Sequence, residues 1–182
     1  HDCTFCSNRM MTGQRHQHRT PEQLQAEIEH LVTTYRIPSL SVADADFLCD
    51  RTQALKKAEI IHGFKLPWGC EGRINAIDEP LVNALLENGV QTLSFGIETG
   101  SDHGFQTLNK GITKEQVQHA AHILNRSHIK WKCFFIAGFP HETLEDLEAM
   151  RKFALELEPS FLSLNAFVPL PGTQIGRPWH EH

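Results

Sequence analysis

The feature of this sequence that most constrains its fold is the regular alternation of short apolar stretches with amphipathic segments. The apolar stretches have the length of β-strands and recur at intervals of roughly 25–35 residues. The amphipathic segments begin at helix-capping residues, as in Thr20-Pro21, and carry an apolar stripe at helical spacing. Strands and helices that alternate in this way predict right-handed βαβ units and therefore a parallel sheet in an α/β fold.

Five strands and five helices are predicted from this pattern. The strands span residues 40–43, 66–74, 90–97, 129–137 and 161–168. The helices begin at the capping residues Thr20, Asp50, Asp78, Thr113 and Thr143. No linker or low-complexity segment interrupts the series, so we expect residues 1–182 to form one domain. We also expect a further strand ahead of Cys3, which this chain lacks.

Polar or turn-forming residues follow the predicted strands one after another. Asp44 and Asp46 follow the first strand, Arg73 the second, Glu98 the third and Gly138 the fourth. The carboxyl ends of parallel strands meet at one edge of the sheet, where parallel α/β proteins place their binding sites. The recurrence of polar residues at successive strands therefore predicts a functional site at this edge.

The chain opens on two cysteines, Cys3 and Cys6, which can bind one metal centre from a single turn of backbone. Their spacing alone fits half a zinc site, a thioredoxin-like redox pair or part of an iron–sulfur site. His16 and His18 follow too closely for a usual zinc finger. An iron–sulfur site needs at least one more cysteine. Because the chain starts at His1 rather than Met, we expect a fragment whose missing ligand lies upstream.

Composition excludes several classes of protein. The net charge of −5 gives no support for general binding to nucleic acid or to a membrane surface. The longest apolar runs are well below the roughly 18 residues of a membrane span. Five scattered cysteines do not form a disulfide framework, which favours a reducing compartment such as the cytoplasm. The isolated cysteines are expected to be small buried groups: Cys49, Cys70 and Cys133.

Four motifs in order resemble those of the radical S-adenosylmethionine (SAM) superfamily. Cys3, Phe5 and Cys6 match the second cysteine, the aromatic residue and the third cysteine of its Cys-x-x-x-Cys-x-x-Cys motif. Residues 96–101 with 108–113 are similar to the fourth-strand signature of a branch that contains methylthiotransferases and cobalamin-binding members. Residues 135–143 and 169–173 resemble the endings of its fifth and sixth strands, with His141 where Gly is more usual.

The resemblance implies a partial (β/α)6 TIM-like barrel of parallel strands, with the first strand and the first cluster cysteine missing from this chain. It implies an enzyme core that binds a 4Fe–4S cluster and SAM for reductive cleavage and radical chemistry. One branch of the family adds cobalamin through an upstream domain and transfers methyl groups. The expected partners are a small-molecule or other unidentified substrate and an electron donor such as flavodoxin or ferredoxin.

The resemblance also assigns roles to individual residues. Cys3 and Cys6 are the expected cluster ligands, with Phe5 as a shield for the cluster. Glu98 is expected to contact the ribose or the amino group of SAM, and the alternative is a buried ion pair with Arg73. In the first case Arg73 is free to bind the SAM carboxylate or the substrate.

The remaining assignments compete with ordinary structural roles. Asp44 and Asp46 are expected to contact the SAM ammonium, and the alternative for each is helix capping or exposure to solvent. Gly138 and Pro140 are expected to shape the wall near adenine, and the alternative is a tight turn. Cys70, at the same edge, is the first candidate to replace the missing ligand.

Two other functions remain open from the sequence. A metal-free (β/α) barrel enzyme would use Glu98 with a histidine as acid and base. A zinc-stabilised binding module would be built around Cys3 and Cys6. Neither alternative explains why four motifs occur in the order that the radical SAM superfamily shows.

Overall fold

The computed structural model describes residues 3–8, 10 and 19–179, with the backbone alone at the last of these. Five strands form one sheet, in which each strand pairs in parallel with the next strand along the chain. The strands are β1 (Leu40–Val42), β2 (Trp68–Gly72), β3 (Val90–Glu98), β4 (Lys130–Ala137) and β5 (Phe161–Ala166). The predicted parallel α/β sheet is confirmed.

Six α-helices connect or flank these strands within the described residues. They are α1 (Pro21–Tyr35), α2 (Arg51–His62), α3 (Glu79–Glu87), α4 (Asp102–Thr107), α5 (Lys114–Arg126) and α6 (Leu144–Glu156). Thr20, Thr113 and Thr143 form capping boxes, in which each threonine oxygen accepts a bond from an N–H of the first turn. These caps satisfy backbone donors that the helices leave unpaired, which is why the helices begin where the sequence predicts.

Helix α4 and strand β2 differ most from the prediction. Helix α4 is absent from it, because α4 is a short helix that begins after the Ser101 cap and has no buried residue to reveal a periodicity. Strand β2 is shorter than residues 66–74, because a 3₁₀-helix, Ile74–Ala76, follows it. Helix α1 ends at the left-handed residue Arg36, ahead of Pro38.

The hydrophobic core lies between the helices and one face of the sheet. Phe95 of β3 and Trp131 of β4 are almost completely buried there, and their ring centroids are 6.4 Å apart. The indole N–H of Trp131 donates to the Asn125 amide oxygen of α5 at 2.7 Å. This bond avoids the cost of a buried unpaired donor, which is about 1–3 kcal/mol. The core therefore fixes the helix layer against β3 and β4.

The opposite face of the sheet is called the inner face below. In β4, buried Trp131 and Cys133 alternate with half-buried Lys132 and Phe134, as expected when successive side chains point to opposite faces. The Lys132 ammonium is 4.5 Å from the centroid of the Phe134 ring, which places both side chains on the inner face. Through strand alternation and register, the inner face carries Gly69, Glu71, Thr92, Ser94, Gly96, Lys130, Lys132, Phe134, Ile136, Phe161, Ser163 and Asn165.

Strand β5 lies at the end of the sheet and is exposed on both faces. Leu162 and Leu164 pair in register with core residues of β4, yet they are 48% and 59% exposed. In the part of the chain that the structure describes, no helix packs over them. None of the described helices is long and apolar enough to pass through a bilayer.

Candidate functional site

Glu98, the last residue of β3, has an unusual backbone and a nearly buried side chain. Its φ of 72° lies in the left-handed region, and the pairing with β4 shifts register between Gly96 and Glu98. A bulge of this kind re-aims the side chain at the end of a strand. The carboxylate accepts a hydrogen bond from the Lys110 ammonium at 2.7 Å, with only 10% of the Glu98 side chain exposed. Lys110 is therefore a site residue that the sequence prediction missed.

Gly96 leaves the space that this pair occupies. A Cβ atom on Gly96 would collide with the Glu98 carboxylate and with the Lys110 ammonium. The carboxylate of Glu98 therefore folds back over the inner face, on the side of β3 that Ser94 and Gly96 share. The glycine in residues 96–101 was part of the recognised motif, but its spacing gave no indication of a lysine partner.

Arg73 supports the loop that carries Lys110. The guanidinium of Arg73 donates to the backbone carbonyl of Lys110. In that loop Asn109 and Gly111 both have positive φ values, 48° and 67°. Among the described residues, Glu98 pairs with Lys110 and not with Arg73, so the alternative Arg73–Glu98 ion pair is wrong. The buried Nε of Arg73 has no hydrogen-bond partner within the described chain.

Cys3 and Cys6 lie on one turn, closed by a bond from the Cys6 N–H to the Cys3 carbonyl at 3.3 Å. The Cys3 side chain is partly exposed and Cys6 is exposed, and both are free thiols. Two accessible sulfur donors on one turn match the chemistry of a thiolate-bound iron–sulfur centre. The residues present therefore fit two of the three cluster ligands that the sequence implies.

Thr4 fixes the position of this turn. Its N–H donates to the carbonyl of Leu108 at 3.1 Å, and its hydroxyl donates to the carbonyl of Thr107 at 3.2 Å. The carbonyl of Thr4 accepts from the N–H of Ile175 at 3.0 Å. The cysteine turn is thus held between the segment after β3 and the segment after β5.

Aromatic contacts join the cysteine turn to the strand ends. Phe5 packs edge-to-face on Phe139, which follows β4, with the ring centroids 5.8 Å apart. Phe139 in turn contacts Phe167, which follows β5, at 4.9 Å. The Lys110 ammonium lies 5.9 Å from the centroid of Phe5. The cysteines, the Glu98–Lys110 pair and the end of β4 therefore form one continuous site.

The two aspartates after β1 contact residues that are near them in the chain. The Asp44 carboxylate accepts from the Lys57 ammonium of α2 at 3.3 Å, and its side chain is 38% exposed. The Asp46 residue is buried, and its carbonyl accepts from the N–H of Cys49 at 3.3 Å. Both residues lie at the predicted edge, and their roles toward a cofactor stay predictions.

Gly138 and Pro140 form the turn after β4. Gly138 has a φ of 92°, and its N–H donates to the Glu142 carboxylate at 2.5 Å. Pro140 and Glu142 line a shallow groove together with Ser101 and His103. The predicted turn is present, and a contact with adenine stays a prediction.

The other predicted cysteine and histidine positions divide into three groups. Cys70 and Cys133 are buried, and burial raises the pKa of each thiol to about 12. Such thiols stay protonated at neutral pH, which disfavours Cys70 as a replacement ligand.

Cys49 is exposed, so its predicted burial is wrong. His16 and His18 lie outside the described residues, and His141 is exposed. No group of three or more metal-ligating side chains occurs among residues 3–8, 10 and 19–179.

Comparison with known proteins gives one family. The family model of the radical SAM superfamily matches residues 1–154. An uncharacterized methyltransferase of Pyrococcus horikoshii is 30% identical over 176 residues, which are 96% of this chain and 38% of that protein. An anaerobic magnesium-protoporphyrin IX monomethyl ester cyclase of Cereibacter sphaeroides is 26% identical over 179 residues, 95% of this chain and 29% of that protein. The chain thus spans between 29% and 38% of the length of these two relatives.

A solved structure has the same fold. The radical SAM methyltransferase TsrM from Kitasatospora setae superposes with a TM-score of 0.84 at 18% identity, over 98% of this chain and 36% of that protein. A likeness at this identity bears on the fold alone. It confirms the partial (β/α) barrel architecture.

Proposed function

We propose that this chain, which belongs to the radical SAM superfamily, is the core of an enzyme that binds a 4Fe–4S cluster and SAM for radical chemistry. One observation carries the proposal: the cysteine turn, through Phe5, meets the Glu98–Lys110 pair at the edge of the sheet where parallel strands end. Residues 1–182 would form a single core domain within a longer protein.

Cys3 and Cys6 would hold the cluster, with a third cysteine supplied from upstream. When bound, the cluster and SAM supply reductive cleavage of a carbon–sulfur bond. Phe5 and Phe139 would keep water away from the cysteine turn, because their rings pack against each other beside it. The thiols of Cys3 and Cys6 need a reducing compartment, for which we propose the cytoplasm. A donor such as flavodoxin or ferredoxin would supply the electron.

Glu98 and its neighbours would position SAM. Glu98 would accept hydrogen bonds from the ribose or the ammonium through the carboxylate oxygen that Lys110 does not use. Arg73 would bind the SAM carboxylate through Nε, which is buried without a protein partner in the described chain.

The flanking residues would complete the SAM site. Asp44 and Asp46 would add negative charge near the SAM ammonium. Gly138 and Pro140 would form the wall near adenine. A turn with an exposed glycine and an exposed proline leaves space beside β4 for a flat ring system.

Methyl transfer is the reaction that the relatives favour. The Pyrococcus horikoshii relative is described as a methyltransferase, and the TsrM structures are described with cobalamin and a 4Fe–4S cluster bound. We propose that cobalamin, if this enzyme uses it, binds through a domain outside the chain.

Anaerobic reconstitution of the full-length protein tests the cluster. The reconstituted protein should be brown and hold about four irons. Cys3→Ala and Cys6→Ala should abolish the colour, whereas Cys49→Ala, which removes an exposed cysteine after β1, should keep it. A colourless protein, or a Cys6→Ala variant that keeps its cluster, would contradict the proposal and favour a metal-free barrel. Zinc at Cys3 and Cys6 after aerobic purification would favour a zinc-stabilised module.

Equilibrium binding of SAM tests Glu98. Loss of a charge-assisted hydrogen bond costs about 1.5–3 kcal/mol, or roughly ten- to a hundredfold in affinity. Glu98→Gln should weaken SAM binding by that factor and leave the iron content unchanged. An unchanged affinity would remove Glu98 from the SAM site.

A further inference from the structure

The inner face of the sheet carries two opposite charges on either side of a hydroxyl group. Glu71 of β2 pairs in register with Ser94 of β3, and Ser94 pairs in register with Lys132 of β4. The three residues therefore form one row across neighbouring strands. Adjacent strands are about 4.8 Å apart, so the Cα atoms of Glu71 and Lys132 are separated by about 10 Å.

This row lies on the same face as the Glu98–Lys110 pair. A Cβ atom on Gly96 would point at the Glu98 carboxylate, and Ser94 shares the face of Gly96 because it lies two positions earlier in β3. Lys132 is on that face because its ammonium contacts the ring of Phe134, which pairs with Gly96. Glu98 lies four positions after Ser94, which corresponds to about 13 Å along the strand.

The two charges do not neutralise each other. Within the described chain neither Glu71 nor Lys132 forms an ion pair, although six other pairs involving lysine or arginine do form there. Glu71 is exposed, and Lys132 is half-buried against Phe134. A long acidic and a long basic side chain at this separation can converge over Ser94 and bind both charges of a ligand placed between them.

We propose that the row of Glu71, Ser94 and Lys132 binds the zwitterionic end of an α-amino acid substrate, with its ammonium on Glu71 and its carboxylate on Lys132. The Ser94 hydroxyl donates to the same carboxylate. The substrate side chain then passes Gly96 and Phe134 and points along β3 toward Glu98. This inference rests on the proposed function, because the substrate side chain would point toward SAM bound at the strand ends.

Titration calorimetry on the reconstituted full-length protein tests the row. The probes are the twenty protein amino acids, added singly, followed by the N-acetyl and methyl ester derivatives of the one that binds most tightly. At least one amino acid should bind, and either derivative should bind at least tenfold more weakly. Glu71→Gln and Lys132→Met should each weaken binding of the free amino acid by roughly ten- to a hundredfold. Lys130→Met is the matched control, an exposed lysine on the same strand and face, and should leave the affinity unchanged.

Three outcomes would overturn the inference. In the first, no amino acid binds to the protein. In the second, the N-acetyl and methyl ester derivatives bind as tightly as the free amino acid. In the third, Lys132→Met and Lys130→Met bind the amino acid with equal affinity. A SAM titration of the same samples separates the two proposals. SAM affinity that stays unchanged in Glu71→Gln supports a substrate row, whereas a parallel loss of SAM affinity assigns the row to the cofactor. Failure of the wild-type protein to bind SAM would instead contradict the proposed function.

Discussion

The Lys110 ammonium lies 2.7 Å from the Glu98 carboxylate, although Lys110 follows Glu98 by twelve positions and lies in the loop after α4. Both side chains are almost inaccessible, with 13% and 10% of their surfaces exposed. Each charge is therefore largely removed from water, and each depends on the other for compensation. If Glu98 binds SAM as proposed, stability and ligand binding are coupled through this one contact.

Removal of the lysine should leave an uncompensated carboxylate. Lys110→Met should lower the free energy of unfolding by about 3 kcal/mol, because breaking a buried pair leaves the other charge without a partner. Chemical denaturation measures this change, with Lys56→Met, an exposed lysine, as the control. The double variant Lys110→Met with Glu98→Gln should recover at least half of the loss. If Lys110→Met unfolds at the same denaturant concentration as Lys56→Met, the Glu98–Lys110 pair does not stabilise the fold.

Gly96 should be required for the cofactor and not for folding in general. In Gly96→Ala the new methyl group displaces the Glu98 carboxylate or the Lys110 ammonium, both of which end flexible side chains. We expect SAM affinity to fall by at least tenfold, while far-ultraviolet circular dichroism stays that of the wild type. Ser94→Ala, on the same face of β3, should bind SAM normally. Normal SAM binding by Gly96→Ala would show that the pair can move without consequence.

Gly100 should be required for the fold. A Cβ atom at this position would lie 2.6 Å from the Met150 Cα atom and 2.7 Å from the Phe153 Cβ atom, both in α6. The backbone of α6 cannot move aside as the end of a side chain can. Gly100→Ala should therefore lower the free energy of unfolding by about 1–3 kcal/mol, the range for overpacked cores. Thermal unfolding measures the effect. Gly63→Ala, in a right-handed helix cap, should change stability by less than about 1 kcal/mol. Equal melting temperatures for the two variants would contradict this packing.

Asp146 should make stability depend on acid pH. Bonds from the Thr143 backbone, then from the Ser101 and Thr143 hydroxyls, lower the pKa of Asp146 from 3.8 to about 2. Because the folded pKa lies below the unfolded pKa, the contribution is complete above about pH 4 and disappears as the pH falls through 2. The difference in unfolding free energy between wild type and Asp146→Asn should therefore shrink from pH 5 to pH 2, as denaturation at several pH values can measure. Glu145→Gln, on the same helical turn, serves as control, and a difference that does not change with pH would contradict the assignment.

The parallel sheet was predictable because its signals are local. Capping residues such as Thr113 and apolar stretches such as residues 129–137 depend on nearby sequence, and the structure places helices and strands there. Helix α4 was missed because six residues are too few to show a period. Cys49 was expected to be buried because free cysteines usually are, but its turn lies outside the core.

The sequence predicted at which edge of the sheet the site lies, but it did not predict which side chains contact each other there. Glu98 and Arg73 were identified because polar residues follow successive strands. Their partners depend on a left-handed residue at the end of β3 and on two more in the loop after α4. Such backbone geometry brings Lys110 to Glu98 and turns Arg73 toward a carbonyl, and the spacing of residues in the sequence does not encode it.

The hydrogen bonds of Thr4 determine when, during synthesis, the cysteine turn can reach its final position. Its bonds go to Thr107, Leu108 and Ile175, so the first residues of the described chain are held by some of the last. A ribosome adds about 5–20 residues each second, and contacts between distant parts of a chain form only after both parts have emerged. The cysteine turn therefore waits, during synthesis, for residue 175. If Cys3 and Cys6 hold the cluster as proposed, cells must keep both thiols reduced and free of other metals over that interval, and the cluster would be delivered to the finished site after translation of this segment.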